Sequence, residues 1–216
     1  VKSFIVLSIL LIVLFSVGLS AQEFEEEPAV LQFDAGIGAG IGIAFEKDIF
    51  KTEVEKVKAS PEVIFNISMH YIVNDHLSFG FLLEGYTQTI NDVLVILQSG
   101  QPKYENFDLA CNNIGADARW TFSTGMFEPY GFAAINLVTG SMQNSDLGNL
   151  TMSGLSFGGG LGTKFNFAEN WAAQLEAFGF FGTAKWKQKV FTNSANASFN
   201  PSHAGLTLGI VFRWGD

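Results

Sequence analysis

The sequence holds one cysteine in 216 residues. A lone thiol, Cys111, cannot form an internal disulfide and cannot supply a Cys-based metal site, so the chain is neither a disulfide scaffold nor a zinc module. Cys111 reads instead as a small apolar wall residue. Charge is also scarce, at 15% of residues, and unbalanced, with 12 Lys and Arg against 21 Asp and Glu. A formal charge of −9 without basic stripes excludes nucleic acid as a partner. His70, His76 and His203 are scattered and make no His-Glu-x-x-His pattern, so no metal and no cofactor are expected. Beyond the N-terminal stretch, no run approaches the roughly 20 apolar residues of a spanning helix.

Against these shortages stand 22 Phe and 23 Gly, a chain rich in apolar surface and poor in the charge that solubilises a globule. Its length suits one domain. Residues 1–21 read as a secretory signal, with Lys2 as the charged start, an apolar core from Phe4 to Leu19, and small residues at Gly18, Ser20 and Ala21. An uncleaved anchor is the rival, because the apolar run is long for a signal. Residues 22–28 form an acidic segment, and 29–214 carry the fold.

Over that length the apolar residues alternate with a period of two, the signature of strands with two different surroundings. In the first strand, from about Ala29 to Glu46, Leu31, Phe33, Ala35, Ile37, Ala39, Ile41 and Ile43 share one face, and Gly36, Gly38, Gly40 and Gly42 lie on the other with Asp34. No helix or Lys-Ser/Thr follows those glycines, so they read as clearance inside a narrow barrel rather than as a phosphate loop. The same alternation recurs through seven further strands, joined by short turns near 74–75, 123–127 and 168–170 and long loops near 47–60, 87–105, 141–150 and 184–202. In the fourth strand Phe107, Leu109 and Cys111 break parity with Ile114, Ala116 and Trp120, which predicts a β-bulge near Asn112-Asn113 that turns Asp108 inward. The expected fold is an all-β, eight-stranded, antiparallel, up-and-down transmembrane barrel with long loops at one end.

Placement of charge supports this, since Lys or Arg at the midplane of a lipid face costs roughly 2–4 kcal/mol. Lys47, Lys51, Lys56, Lys58, Lys103, Lys185, Lys187 and Lys189 fall in or beside the long loops. Asp34, Glu84, Asp117, Arg119, Lys164, Glu176 and Arg213 take the glycine-rich inner parity, where they predict an ionic network in the lumen. Tyr71, Phe79, Trp120, Phe122, Tyr130, Phe132, Phe165, Phe167, Trp171 and Trp214 gather near the short turns as an expected aromatic girdle.

The last strand places Leu206, Leu208, Ile210, Phe212 and Trp214 on one face, and its Thr207, Gly209, Phe212 and Trp214 reproduce polar-x-Gly-x-x-aromatic-x-aromatic. This resembles the C-terminal signal by which barrel-assembly machinery recognises bacterial outer-membrane barrels, although Gly215 and Asp216 follow the final aromatic. With the strand count and charge placement, residues 29–214 resemble the OmpA/OmpX-like eight-stranded barrel family. The resemblance implies an outer-membrane location, periplasmic termini, outer-membrane lipids and lipopolysaccharide as surroundings, and long extracellular loops able to take a ligand. It does not extend to the peptidoglycan-binding domain of larger relatives, so no cell-wall tether is expected.

An eight-stranded barrel is filled by side chains or holds one small ligand. The simplest reading is a plugged, non-enzymatic barrel with a structural or surface-interaction role. A narrow gated pore or a channel for small hydrophobic solutes is the alternative. A lipid A-modifying enzyme is another, using Ser198, Ser202, His203 and Glu176, but the order Ser-His-Ala-Gly matches that pattern loosely. Lys185-Trp186-Lys187-Gln188-Lys189 could grip lipopolysaccharide phosphates or be a solvated strand extension. His70 is expected in the lumen and His76 in a turn. A lipocalin-like soluble barrel would point its apolar residues inward, the reverse of this pattern.

Overall fold

A computed structural model describes residues 31–44, 58–96, 102–144, 148–186, 198–199 and 201–215. The expected signal, the acidic segment, and Lys187 and Lys189 lie outside these. The described residues belong to one compact unit, Leu31–Asp216. Eight long strands form it: β1 (Gln32–Ala44), β3 (Glu62–Ile72), β4 (Leu77–Ile96), β5 (Pro102–Thr121), β6 (Phe127–Asn144), β7 (Gly148–Ala168), β8 (Trp171–Trp186) and β10 (His203–Trp214). Two short pieces, β2 (Lys58–Ala59) and β9 (Ser198–Phe199), extend the sheet beside β4 and β8. Each long strand pairs antiparallel with its neighbours, and β10 pairs with both β8 and β1, so the sheet closes into a barrel.

The closing seam is in register along its whole length, from Phe33 opposite Trp214 to Ala44 opposite His203. Such a seam leaves no hydrophobic edge to template aggregation. It also fixes which face points out, because a slip of one residue would exchange every side chain between lipid and lumen. The outward set is apolar and exposed: Ile37, Ile41, Phe65, Phe157, Leu161 and Leu208 are each more than 60% accessible. This is the inverse of a soluble core and is what hydrocarbon surroundings require.

The girdle forms at the short-turn end. Phe33 packs against Tyr71 and Trp214 with ring centroids 5.5 and 5.6 Å apart, Trp171 meets Phe212 at 4.8 Å, and Phe127 meets Phe165 at 5.0 Å. Two expected members do not belong to it. Tyr130 and Phe132 are buried in the lumen, sharing the inward parity of Glu128 and Asn136. Room for them comes from glycine across the strand pair: a Cβ on Gly162 would lie 2.4 Å from the Tyr130 ring, and one on Gly160 would lie 2.7 Å from that of Phe132.

The expected bulge at Asn112-Asn113 is absent. β5 runs in unbroken register with β6, and with β4 from Leu77 to Ile90. Phe107, Leu109 and Cys111 therefore point inward and are buried, and Asp108 points outward, where its Oδ1 accepts a hydrogen bond from Thr89 Oγ1 at 3.1 Å. The apparent parity break marks a change of surroundings along one straight strand. Pairing also continues through residues expected to be loop, to Ile96 opposite Pro102 and to Asn144 opposite Gly148.

Leu208→Arg should therefore lower stability by roughly 2–4 kcal/mol in lipid vesicles, whereas Thr139→Arg, beyond the apolar band, should cost little. Urea titration followed by the heat-modifiable gel shift measures both, and equal losses would show that the band is misplaced.

Candidate functional site

The inward residues stack in layers from the short-turn end upward. At the base, Asp34 sits opposite Arg213 across the closing seam, and its Oδ1 accepts from Arg213 Nε at 2.8 Å. Lys164 Nζ donates to the other oxygen of the same carboxylate. Arg213 continues to Glu128 Oε2 at 3.0 Å, and Asn166 Nδ2 donates to Glu128 Oε1 at 2.8 Å. The arginine side chain is 31% exposed, which leaves this layer partly open to water.

One step higher, Arg119 is 3% exposed and is held on every side. Its Nε donates to Asp117 Oδ2 at 2.9 Å, one NH2 group lies 3.5 Å from Glu176 Oε2, and the other donates to Gln174 Oε1 at 3.4 Å. The guanidinium also lies 5.1 Å from the Tyr130 ring centroid and 5.6 Å from that of Phe132, within cation–π range. Tyr130 Oη donates to Glu176 Oε2 at 2.8 Å, and His70 Nε2 lies 2.8 Å from Asp117 Oδ2. A planar five-donor guanidinium suits this task, since it can serve two carboxylates and an amide at once.

Glu84 does not join that layer. It lies higher, accepting from Asn113 Nδ2 at 2.7 Å and facing His203 Nε2 at 3.0 Å, while His203 Nδ1 faces the Pro201 carbonyl at 3.0 Å. The His203 ring packs 4.5 Å from Tyr86 and 5.6 Å from Phe180. Above this layer the lumen becomes apolar, with Phe107, Leu109, Met142 and Met152 all buried.

Six of the seven predicted lumen charges thus meet in two adjoining layers, and the seventh forms its own. Two further acids, Glu62 and Glu128, are also buried in the lumen. Tyr130, Gln174 and Asn113 also belong to the network, and the signal that could have found them is their inward parity. The described members of the candidate enzymatic group, Ser202, His203 and Glu176, each have partners outside that group. Ser202 Oγ accepts the Gly182 N–H at 3.0 Å, His203 is engaged at both nitrogens, and Glu176 is bonded to Tyr130 and Gln174. The side chain of Ser198 lies outside the described ones. Among the described residues, no group of three or more His, Cys, Asp or Glu is arranged to hold a metal ion.

Thr207, Gly209, Phe212 and Trp214 take their expected faces. Thr207 is buried and accepts from Asn66 Nδ2 at 3.4 Å, Gly209 lies opposite Gly38, and Phe212 and Trp214 stack in the girdle at 6.0 Å.

A family model described as outer membrane protein beta-barrel domain matches residues 9–212. No curated protein matches the chain. Among solved structures, it is similar to the outer membrane protein OprG from Pseudomonas aeruginosa, with a TM-score of 0.61 and 10% identity over 87% of this chain and 98% of that one. Neisserial surface protein A aligns with a TM-score of 0.48 and 15% identity, covering 85% and 97% of the two chains. The N-terminal β-barrel domain of Pseudomonas aeruginosa OprF gives 0.41 and 18%, covering 84% and 97%. At such identities the likeness concerns the fold alone.

Arg119→Met should strand Asp117 and Glu176 without their shared cation and destabilise the barrel by about 3–5 kcal/mol. Arg213→Met, at a partly exposed site, should cost less. Urea midpoints in vesicles compare the two, and an Arg119 variant as stable as the parent would remove the central role given to this residue.

Proposed function

The chain belongs to the outer membrane protein beta-barrel domain family and is an integral outer-membrane barrel, and from that premise we propose that its lumen is a closed ionic plug and that its role is structural or surface-interactive. The observation that carries this reading is the Arg119 layer. A guanidinium tied to Asp117, Glu176 and Gln174, and covered by Tyr130 and Phe132, fills the cross-section with groups that cannot move singly without breaking an ion pair. A cavity beside this layer, bordered by Asn66, Ser68, Gln174 and Thr207, has about 10 Å³, room for about one water.

A channel for small apolar solutes draws support from the buried aromatic and thioether side chains of the outer half. Those side chains are packed against one another, with Phe107, Phe180, Met142 and Met152 at 2% exposure or less. A solute entering there would also have to displace the Glu84–His203 pair before meeting the plug. The closed reading therefore has the stronger support. Catalysis has less, since Ser202 accepts from the Gly182 N–H, His203 faces Glu84 and Glu176 accepts from Tyr130. On this reading the long connections opposite the short turns would engage an extracellular ligand, and Thr207, Gly209, Phe212 and Trp214 would be read by the barrel-assembly machinery.

Planar-bilayer recordings should show no unitary conductance for the parent protein. The double variant Asp117→Ala with Arg119→Ala, confirmed as folded by its gel shift, should show small, brief steps. Discrete openings of the unmodified barrel would overturn the plug.

A further inference from the structure

The outer wall changes character at one level. Ile67, Leu83, Ile114, Leu137 and Leu155 are successive cross-strand partners and form the last wholly apolar row over β3 to β7. Two same-face steps higher, the row is Val63, Thr87, Ala110 and Ser141, and above it Thr89, Asp108 and Gln143 are partners. Same-face residues are spaced roughly 6.5 Å along a strand, and a tilt of about 40° reduces this to about 5 Å of height per step. The polar rows thus stand within about 10–15 Å of the last apolar one, at the headgroup level of the outer leaflet.

A groove of about 400 Å³ opens there on the outer wall, with Ala110 and Ser141 in its lining and Ser60-Pro61 at one side. Its described lining offers hydroxyls on Thr87, Thr89 and Ser141, the amide of Gln143, and the Asp108 carboxylate, while the buried Gln88 amide donates to the Ser60 carbonyl at 2.9 Å and braces the wall behind them. Asp108 already accepts from Thr89, which orients it across the floor. None of the described lining residues is Lys or Arg. Phosphate recognition calls for such cations, and an acyl chain calls for apolar walls. A surface of mixed donors and acceptors with one carboxylate, held at the lipid–water boundary, matches hydroxyl-rich rings without net negative charge.

We propose that this groove binds the sugar hydroxyls of an outer-leaflet glycolipid, away from its phosphates, and so fixes one lipid against β4–β6. The proposal concerns the outer wall and does not depend on the lumen being closed. Native mass spectrometry of the full chain in detergent would test it with intact lipopolysaccharide, dephosphorylated lipopolysaccharide and phosphatidylglycerol as probes. One glycolipid per barrel should be retained whether or not its phosphates are present, and phosphatidylglycerol should not replace it. Ala110→Trp, which fills the groove, should lower retention about tenfold, a change of about 1.4 kcal/mol, with the gel shift unchanged. Ser141→Phe should do the same and serves if the tryptophan variant does not fold. Retention that disappears with the phosphates, or that persists in folded groove-filled variants, would overturn the assignment.

Discussion

Everything in this molecule depends on the seam between β1 and β10. Inside hydrocarbon each unpaired backbone N–H or C=O costs several kcal/mol, so a sheet survives there only if its first and last strands find each other. The seam does this from Phe33–Trp214 to Ala44–His203. It also brings Asp34 and Arg213 into direct opposition, so the ion pair that starts the plug is made by the same contact that closes the barrel. Backbone closure and lumen neutralisation are coupled at that point.

Closure creates a second requirement. Eight tilted strands enclose a space that side chains must fill, and in this chain the filling is graded by the number of glycines facing it. Glycine on β7 and β10 permits large neighbours: Tyr130 and Phe132 lie over Gly162 and Gly160, and Phe178 lies over Gly205. Tyr130 then supplies both a face for Arg119 and a hydroxyl for Glu176. The glycines and the charge network are therefore one design, since a Cβ at position 162 would expel the ring on which the guanidinium rests.

Much of this was legible in the sequence because the strand period is two and hydrocarbon tolerates few exceptions. The apolar faces of β1 and β10, the inward charges and the number of strands all follow from alternation alone. Expectation and structure differ where an aromatic or apolar side chain does not face lipid. Tyr130 and Phe132 are aromatic and near the short turns, as girdle residues are, yet they share the inward parity of Glu128. Phe107, Leu109 and Cys111 mimic a bulge because the lipid face ends partway along β5, and above that level apolar side chains belong to the lumen. Hydrogen-bonded partners such as Glu84 and His203 are 119 positions apart, and only three-dimensional register brings them within 3.0 Å.

The reversal on β5 explains why the ionic plug lies low in the barrel. Near the short turns the surroundings outside are lipid, so Ala116, Ala118 and Trp120 face out while Asp117 and Arg119 face in. Past Asn112 the outside is polar, with Asp108 and Gln143 as partners, and the inside is Phe107, Leu109 and Met142. The outer half is thus built like a water-soluble barrel, and the inner half like its inverse, on the same continuous strands. Apolar packing can hold the outer half together because water surrounds it and makes burial favourable. Within the bilayer that driving force is absent between the wall and its surroundings, so cohesion across the lumen must come from ion pairs and hydrogen bonds. The switch from one kind of core to the other occurs at the Glu84–His203 layer, where a carboxylate and an imidazole meet rings from β4 and β8.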